Sequence, residues 1–179
     1  MLDPADCGPA VISMSQDVQG EAYDYPEIFF EEKIHEIRRI HPDPNQIQKA
    51  ADKLKQSKQP IIISGGGVLY SEAEEEISAF AKKHNIPVTA TVMGIGCMNK
   101  DDPYYISAIG CLGEGSSNNL ATDTDLALAV GTKLGDFTTG SWTNFENENF
   151  QLVSINTSRF DTTKPVSYTH LTLPTTSTV

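Results

Sequence analysis

The chain has 179 residues, which is enough for one globular domain with its own core. Its formal net charge of −11 disfavours nucleic acid and anionic membranes as partners, because both repel an acidic surface. No apolar run approaches the roughly 18 residues of a membrane span, and the first ten residues lack the regions of a signal peptide. Three cysteines, Cys7, Cys97 and Cys111, contain no CxxC pair and no zinc-ligand spacing. We therefore expect a cytoplasmic protein without a disulfide framework or metal site.

The N-terminal part carries two apolar patterns. Residues 8–19, "GPAVISMSQDVQ", alternate loosely and predict a short, mostly buried strand. Pro26 then suits the first position of a helix, since its missing N–H costs nothing there. The following residues, 27–40, place Phe30, Ile34 and Ile37 on one stripe, which predicts an amphipathic helix.

Two further helices are predicted from their start signals. Asp43 is a candidate N-cap with Pro44 at the first helical position, and Gln46 completes the spacing of a capping box. Ser71 and Glu74 form a second candidate capping box, for a helix that ends near residues 84–85. Both helices carry one apolar stripe at helical spacing.

Four predicted strands alternate with these helices. They are "PIII" at 60–63, "IPVTATV" at 86–92, "DLALAVG" at 125–131 and "FQLVSIN" at 150–156. Two of them are nearly continuous apolar runs, which are typical of parallel strands covered on both faces. The sequence therefore predicts an α/β fold, a Rossmann-like doubly wound parallel sheet with helices on both faces.

A triple-glycine turn follows the "PIII" strand and precedes a predicted helix, which is the setting of many phosphate sites. The dinucleotide fingerprint is incomplete, because Tyr70 stands where a third spaced glycine is needed, and no Gly-Lys-Ser/Thr follows. A structural turn and a bound nucleotide both remain open. The residues that would line the nucleotide crevice are Gly65, Gly66, Gly67, Gly131 and Lys133.

Several segments, in order, resemble the thiamine diphosphate-dependent enzymes. The stretch "GPAVISMSQDVQ" resembles the strand that closes their pyrimidine-binding domain. The central domain of that superfamily is resembled by "QPIIISGGG", "IPVTATVMGIG", "DLALAVGTKLGDFTTGSWTNF" and "FQLVSINTS". The stretches "SQDVQGEAYDYP" and "EIFFEEKIHEIRRIHPDP" further resemble the trihydroxycyclohexane-dione hydrolases of inositol catabolism.

This resemblance implies the role of each part of the chain. Residues 1–25 would end the pyrimidine-binding domain and its linker, and residues 26–165 would form a truncated central domain. The family's catalytic glutamate and its Gly-Asp-Gly motif would lie outside the chain, so thiamine diphosphate and Mg2+ would bind elsewhere in a homo-oligomeric parent that opens a cyclic dione. We expect no catalytic residue in the chain itself, which would act as a spacer.

The resemblance also leaves alternative functions open. Lys133 and Phe137 stand where flavin-binding relatives carry arginines, whereas Asp136, Thr139 and Gly140 match the flavin-binding pattern. The loss of both arginines disfavours FAD. The parent could instead be a carboligase similar to acetolactate synthase or glyoxylate carboligase. A third alternative is a stand-alone dinucleotide-binding module.

The last fourteen residues, 166–179, differ in composition from the rest, since they are rich in threonine and contain no acidic residue, lysine or arginine. Residues 166–175, "VSYTHLTLPT", are the translation of a DNA string that resembles a transposon adapter for sequencing libraries. We therefore expect residues 166–179 to be a non-native tail. With the central domain interrupted there, the strand at 150–156 is predicted to be an unprotected edge.

Overall fold

The computed structural model describes residues 3–6, 8–37, 41–141 and 143–162, and the main chain of residues 170–174. It separates into two compact units, residues 1–39 and residues 40–179. Cys7 lies outside the described residues. Among the described residues, no helix is both long and apolar enough to cross a membrane.

Within its described residues, the first unit does not form the predicted strand and helix, of which the last helical positions, 38–40, lie outside that description. Its regular elements, within the described residues, are α1 (Gln16–Gln19) and a 3-10 turn (Glu27–Phe29). Every side chain from residue 8 to residue 37 is exposed. Both predictions were wrong because an amphipathic pattern stabilises an element only where its apolar face is buried, and short isolated helices are marginal in water.

The second unit is built around one sheet. Its strands, within the described residues, are β1 (Pro60–Ser64), β2 (Val88–Ala90), β3 (Tyr105–Ala108), β4 (Leu126–Val130), β5 (Gln151–Asn156) and β6 (His170–Pro174). All neighbouring strands pair in parallel, in the order β3-β2-β1-β4-β5-β6. The order reverses between β1 and β4, which is the switch point of a doubly wound sheet. The predicted fold class is confirmed.

Helices cover both faces of this sheet. They are α2 (Pro44–Gln56), α3 (Gly66–Tyr70), α4 (Glu74–His84), α5 (Gly115–Asp123) and α6 (Arg159–Thr162). Successive strand residues point to opposite faces. Accordingly Ile62 packs in one buried cluster with α4, whereas Ile61 and Ile63 pack in a second cluster with Ala121 of α5. The sheet therefore has a separate hydrophobic core on each face.

The two predicted helix starts had different outcomes. Asp43 caps α2 as predicted, since its side chain accepts hydrogen bonds from the backbone N–H of Asn45 at 2.7 Å and of Gln46 at 3.3 Å. The predicted capping box is nevertheless incomplete, because Oε1 of the Gln46 side chain is buried without a hydrogen-bond partner. Ser71 is not an N-cap. It ends α3, where its backbone N–H donates to the carbonyl of Gly67 at 3.1 Å, and α4 begins without a side-chain cap. The glycines lead directly into a helical turn, which shifts the helix start away from Ser71.

β5 is not the unprotected edge that the sequence predicts. Residues 152–156 pair in parallel with residues 170–174, which belong to the threonine-rich tail. This pairing joins backbone groups, which every non-proline residue carries, so it does not decide whether the tail is native. The outer edge of the sheet passes from β5 to β6 on this side.

Asp125 fastens the turn after α2 to the start of β4. Its carboxylate accepts hydrogen bonds from the Ser57 hydroxyl, from the N–H of Lys58 at 2.7 Å and from the N–H of Gln59 at 3.1 Å. Partial burial raises the pKa of this carboxyl, but the hydrogen bonds outweigh that effect and hold the pKa below its ordinary value. The ionised carboxylate is therefore the form that stabilises the fold.

Asp125→Asn is expected to lower the free energy of unfolding by about 1 kcal/mol at neutral pH, because the amide has only one acceptor oxygen, so bonds on one carboxylate oxygen are lost and the others lose their charge. A lowered folded-state pKa contributes stability above the unfolded value of about 4, and that contribution is lost as the pH falls through the folded-state pKa. The difference between the parent chain and the variant should therefore shrink below about pH 4. Urea unfolding from pH 3 to pH 7 measures it; a difference independent of pH would contradict this role.

Candidate functional site

Four glycines from three loops meet at the carboxyl ends of the central strands. We call this set, Gly65, Gly67, Gly94 and Gly131, the glycine corner. A Cβ on Gly67 would lie 2.6 Å from the Cα of Gly131, and a Cβ on Gly94 would lie 2.2 Å from the carbonyl oxygen of Ser64. These distances are shorter than any non-bonded contact that a Cβ makes. The space that side chains would occupy is therefore filled by neighbouring backbone.

The backbone donors of the glycine corner already have partners in the sheet. The N–H of Gly65 donates to the carbonyl of Val130 at 2.9 Å, and that of Gly67 to the carbonyl of Gly131 at 2.9 Å. The N–H of Gly131 donates to the carbonyl of Ile155 at 2.8 Å. A phosphate cradle needs such donors to face a ligand. The geometry therefore supports a structural role for these glycines, in which they close the loops onto one another.

The other residues of the predicted crevice lie next to the glycine corner. Gly66 is buried at the start of α3, where a Cβ would meet Met93 at 3.2 Å to 3.3 Å. Lys133 is exposed on the loop after β4. The structure thus brings the candidate glycines together. Nucleotide binding by Lys133 stays a prediction.

The flavin-pattern loop, residues 131–140, is tied to the loop after β3. The carbonyl of Phe137 accepts from the N–H of Cys111 at 2.7 Å, while the Phe137 side chain is exposed. Thr139 is buried, and its hydroxyl donates to backbone carbonyls of its own loop, at 3.1 Å to Gly135 and 3.2 Å to Asp136. These contacts shape the loop. That the chain does not bind FAD, because both flavin-contacting arginines are missing, stays a prediction.

Sequence reasoning missed one polar contact at this edge. The side-chain amide of Asn118 in α5 accepts from the N–H of Gly110 at 2.9 Å and donates to its carbonyl at 3.0 Å. Gly110 is buried and has a φ of +100°, a conformation that favours glycine. We call this pair of bonds the Asn118 clasp. Nothing in the local sequence predicts it, because α5 itself is polar and lacks an apolar stripe.

Burial and pairing constrain one cysteine and one carboxylate of this domain. Cys97 is fully buried, and burial raises the pKa of its thiol, which disfavours the nucleophilic thiolate. Asp102 forms an ion pair with Lys82 at 2.8 Å, and hydrogen bonds from Lys82 and the backbone of Tyr104 hold the pKa of its carboxyl below the ordinary value. Among the described residues, no group of three or more His, Cys, Asp or Glu side chains could hold a metal ion.

The comparison with protein families shows which family contains this sheet and its glycine corner. Residues 47–173 match the model of the thiamine pyrophosphate enzyme central domain. The chain belongs to this family. The match covers the whole sheet except the last residue of β6, so the glycine corner and the Asn118 clasp both lie within the family domain.

Similar proteins point to one branch of the thiamine pyrophosphate enzymes. A 3D-(3,5/4)-trihydroxycyclohexane-1,2-dione hydrolase from Clostridium botulinum is 42% identical over 164 residues, which are 92% of this chain and 26% of the relative. A hydrolase of the same name from Bacillus cereus is 40% identical over 164 residues, with the same coverage of both chains. The chain therefore spans about a quarter of the length of these relatives.

A solved structure confirms the fold at lower identity. The benzoylformate decarboxylase from Polynucleobacter necessarius superposes with a TM-score of 0.66 and 22% identity, over 89% of this chain and 29% of that protein. At this identity the likeness concerns the fold alone. The predicted resemblance to the central domain of thiamine diphosphate-dependent enzymes is thus confirmed both by sequence and by fold.

Proposed function

We propose that this chain is the central-domain part of a longer thiamine diphosphate-dependent hydrolase that opens a cyclic dione in inositol catabolism. The observation that carries this proposal is the 42% identity to a trihydroxycyclohexane-dione hydrolase over 92% of the chain. The longer protein would bind thiamine diphosphate and Mg2+, and would assemble as a homo-oligomer. Its substrate would be a small cyclic dione.

Within that enzyme, the role of residues 26–165 is structural. The described residues contain no group of three metal-ligating side chains, and the N–H groups of Gly65, Gly67 and Gly131 already donate to backbone carbonyls. They therefore do not fit the thiamine cofactor, and no chemical step is assigned to them. The sheet with its two cores supports the spacer role, since a spacer must hold its shape. Residues 1–25 would belong to the preceding domain, and residues 166–179 would be non-native.

The alternatives receive less support. A carboligase parent rests only on membership of the thiamine pyrophosphate enzyme family, whereas the hydrolase rests on sequence identity around 40%. The nucleotide-binding module requires free donors at the glycine corner, where the N–H groups of Gly65 and Gly67 bond to carbonyls. Flavin absorbance in the purified longer protein would favour a carboligase. Heat on titrating FAD or NAD into the 179-residue chain would favour the module.

The test begins with the gene. We expect a longer reading frame at the same locus to encode a glutamate-bearing domain before this segment and a Gly-Asp-Gly motif after it. The purified longer protein, with thiamine diphosphate and Mg2+, should consume the trihydroxycyclohexane-dione and release an acid. The 179-residue chain under the same conditions should show no turnover. Turnover by this chain alone, free of contaminating enzyme, would contradict the proposal, as would a longer frame without those motifs.

A further inference from the structure

The first unit holds an exposed cluster of four aromatic side chains. We call Tyr23, Tyr25, Phe29 and Phe30 the ring cluster. The Tyr25 and Phe29 ring centroids are 4.9 Å apart, those of Phe29 and Phe30 are 5.3 Å apart, and those of Tyr23 and Tyr25 are 5.3 Å apart. Their side chains are 56% to 72% exposed. The rings therefore contact one another while most of their surface faces solvent.

Such a cluster is large for a surface that stays in water. Each aromatic side chain can bury about 150–250 Å2, so four rings at this exposure present on the order of 500 Å2 of mostly apolar area. A patch of that size is comparable to the largest apolar patch on a typical soluble monomer, which is often functional. The cluster is also preformed, because edge-to-face ring contacts already fix its shape.

Charge selects among the surfaces that could cover the rings. Five carboxylates lie among and beside them, and Lys33 is the one lysine or arginine within residues 21–33. These carboxylates are Glu21, Asp24, Glu27, Glu31 and Glu32. Two copies of this segment would place like charges together, which is unfavourable. The matching surface is apolar at its centre and basic at its rim.

The length of the aligned relative indicates where the surface that covers the rings lies. The 164 residues aligned with the Clostridium botulinum hydrolase necessarily include the whole ring cluster, whichever end of this chain is left unaligned. That relative is about four times as long as the aligned part. We propose that the ring cluster is a docking element, and that it inserts into a basic-rimmed apolar surface on the part of the longer protein outside these 179 residues. This inference rests on the proposed function only in requiring that longer protein.

Hydroxyl-radical footprinting read by mass spectrometry tests the proposal without altering the protein. The 179-residue chain and the longer protein from the same locus are oxidised side by side, with a dosimeter peptide in each sample. We expect oxidation of the four rings to be at least five-fold slower in the longer protein. Equal oxidation would overturn the docking proposal even if the longer protein opens the dione. Slow oxidation in a protein that lacks this activity would support docking and count against the proposed function.

A pair of variants supplies an independent measurement. The double substitution Phe29→Ser, Phe30→Ser should lower the melting temperature of the longer protein by several degrees and leave that of the 179-residue chain unchanged, since both rings are exposed there. Leu112→Ser, which replaces an apolar residue that is 70% exposed and outside the cluster, is the matched control and should change neither. If ring oxidation in the 179-residue chain instead falls as its concentration rises, the partner is a second copy and the proposal is wrong.

Discussion

Replacing Gly131 with alanine is expected to lower the free energy of unfolding by about 3 kcal/mol. Gly131 has a φ of +59°, which costs an L-residue roughly 1–2 kcal/mol. The added Cβ would also lie 2.6 Å from the Cα of Gly67 and 2.8 Å from its carbonyl carbon. Both atoms belong to Gly67, whose N–H donates to the Gly131 carbonyl at 2.9 Å, so relief requires the two loops to separate, and overpacking of this kind costs about 1–3 kcal/mol. Urea unfolding followed by circular dichroism measures the difference.

Gly135→Ala is the matched control for this substitution. Gly135 lies on the same loop, has no positive φ, and would place its Cβ in open space, with nothing within 4 Å. We expect its free energy of unfolding to stay within about 0.5 kcal/mol of the parent chain. Gly67→Ala probes the same contact from the other side, and the double variant should cost less than the sum of the single variants, because both remove one close approach. Equal stability of the Gly131 and Gly135 variants would show that the glycine corner is open space rather than packed backbone.

The second large effect is expected at the Asn118 clasp. Asn118→Ala removes two hydrogen bonds to Gly110 and leaves the buried Gly110 N–H without its acceptor, while the Gly110 carbonyl keeps the bond from Gly113 at 2.9 Å. An unpaired buried donor costs about 1–3 kcal/mol, so we expect a loss of about 2 kcal/mol. Amide hydrogen exchange at Gly110 and Cys111 should also become faster, because the clasp closes this loop onto α5.

Two further variants of α5 make the assignment specific. Asn118→Asp keeps an acceptor for the Gly110 N–H but turns a carboxylate oxygen toward the Gly110 carbonyl in place of the donor, and this repulsion should make it destabilising as well. Asn119→Ala is the control, since Asn119 is the exposed neighbour on the same helix and alanine is the better helix former. It should be neutral or slightly stabilising. If Asn119→Ala costs as much as Asn118→Ala, the loss reflects the helix and not the clasp.

The parallel sheet could be predicted because its strands carry their signal locally. Ile61, Ile62 and Ile63 are all buried, and so are residues 126–129, as expected for strands covered on both faces. β3 and α5 escaped prediction for the opposite reason. β3 is only half-buried along its length, and α5 is built from small and polar residues whose positions depend on the distant Gly110 loop. Their structure is decided by tertiary contacts rather than by periodicity.

The candidate site was also predicted only in part, since its glycines are visible in the sequence and their contacts are not. The sequence displays Gly65, Gly67 and Gly131, but it does not display what fills the space around them, since the partners lie more than sixty residues apart. In the first unit, residues 8–37 carry clear apolar patterns without a surface to bury them, so pattern alone predicted elements that did not form. A periodic pattern therefore predicts an element reliably only where the rest of the chain supplies its cover.

The pairing of β6 with β5 has a consequence for engineering this domain. Leu152 to Asn156 of β5 pair with residues 170–174 through main-chain groups, which other extended peptides with few prolines also carry. The outer strand position held by β6 is thus a suitable place to exchange one segment for another. Unrelated segments of suitable length could be exchanged there while the other five strands keep their order.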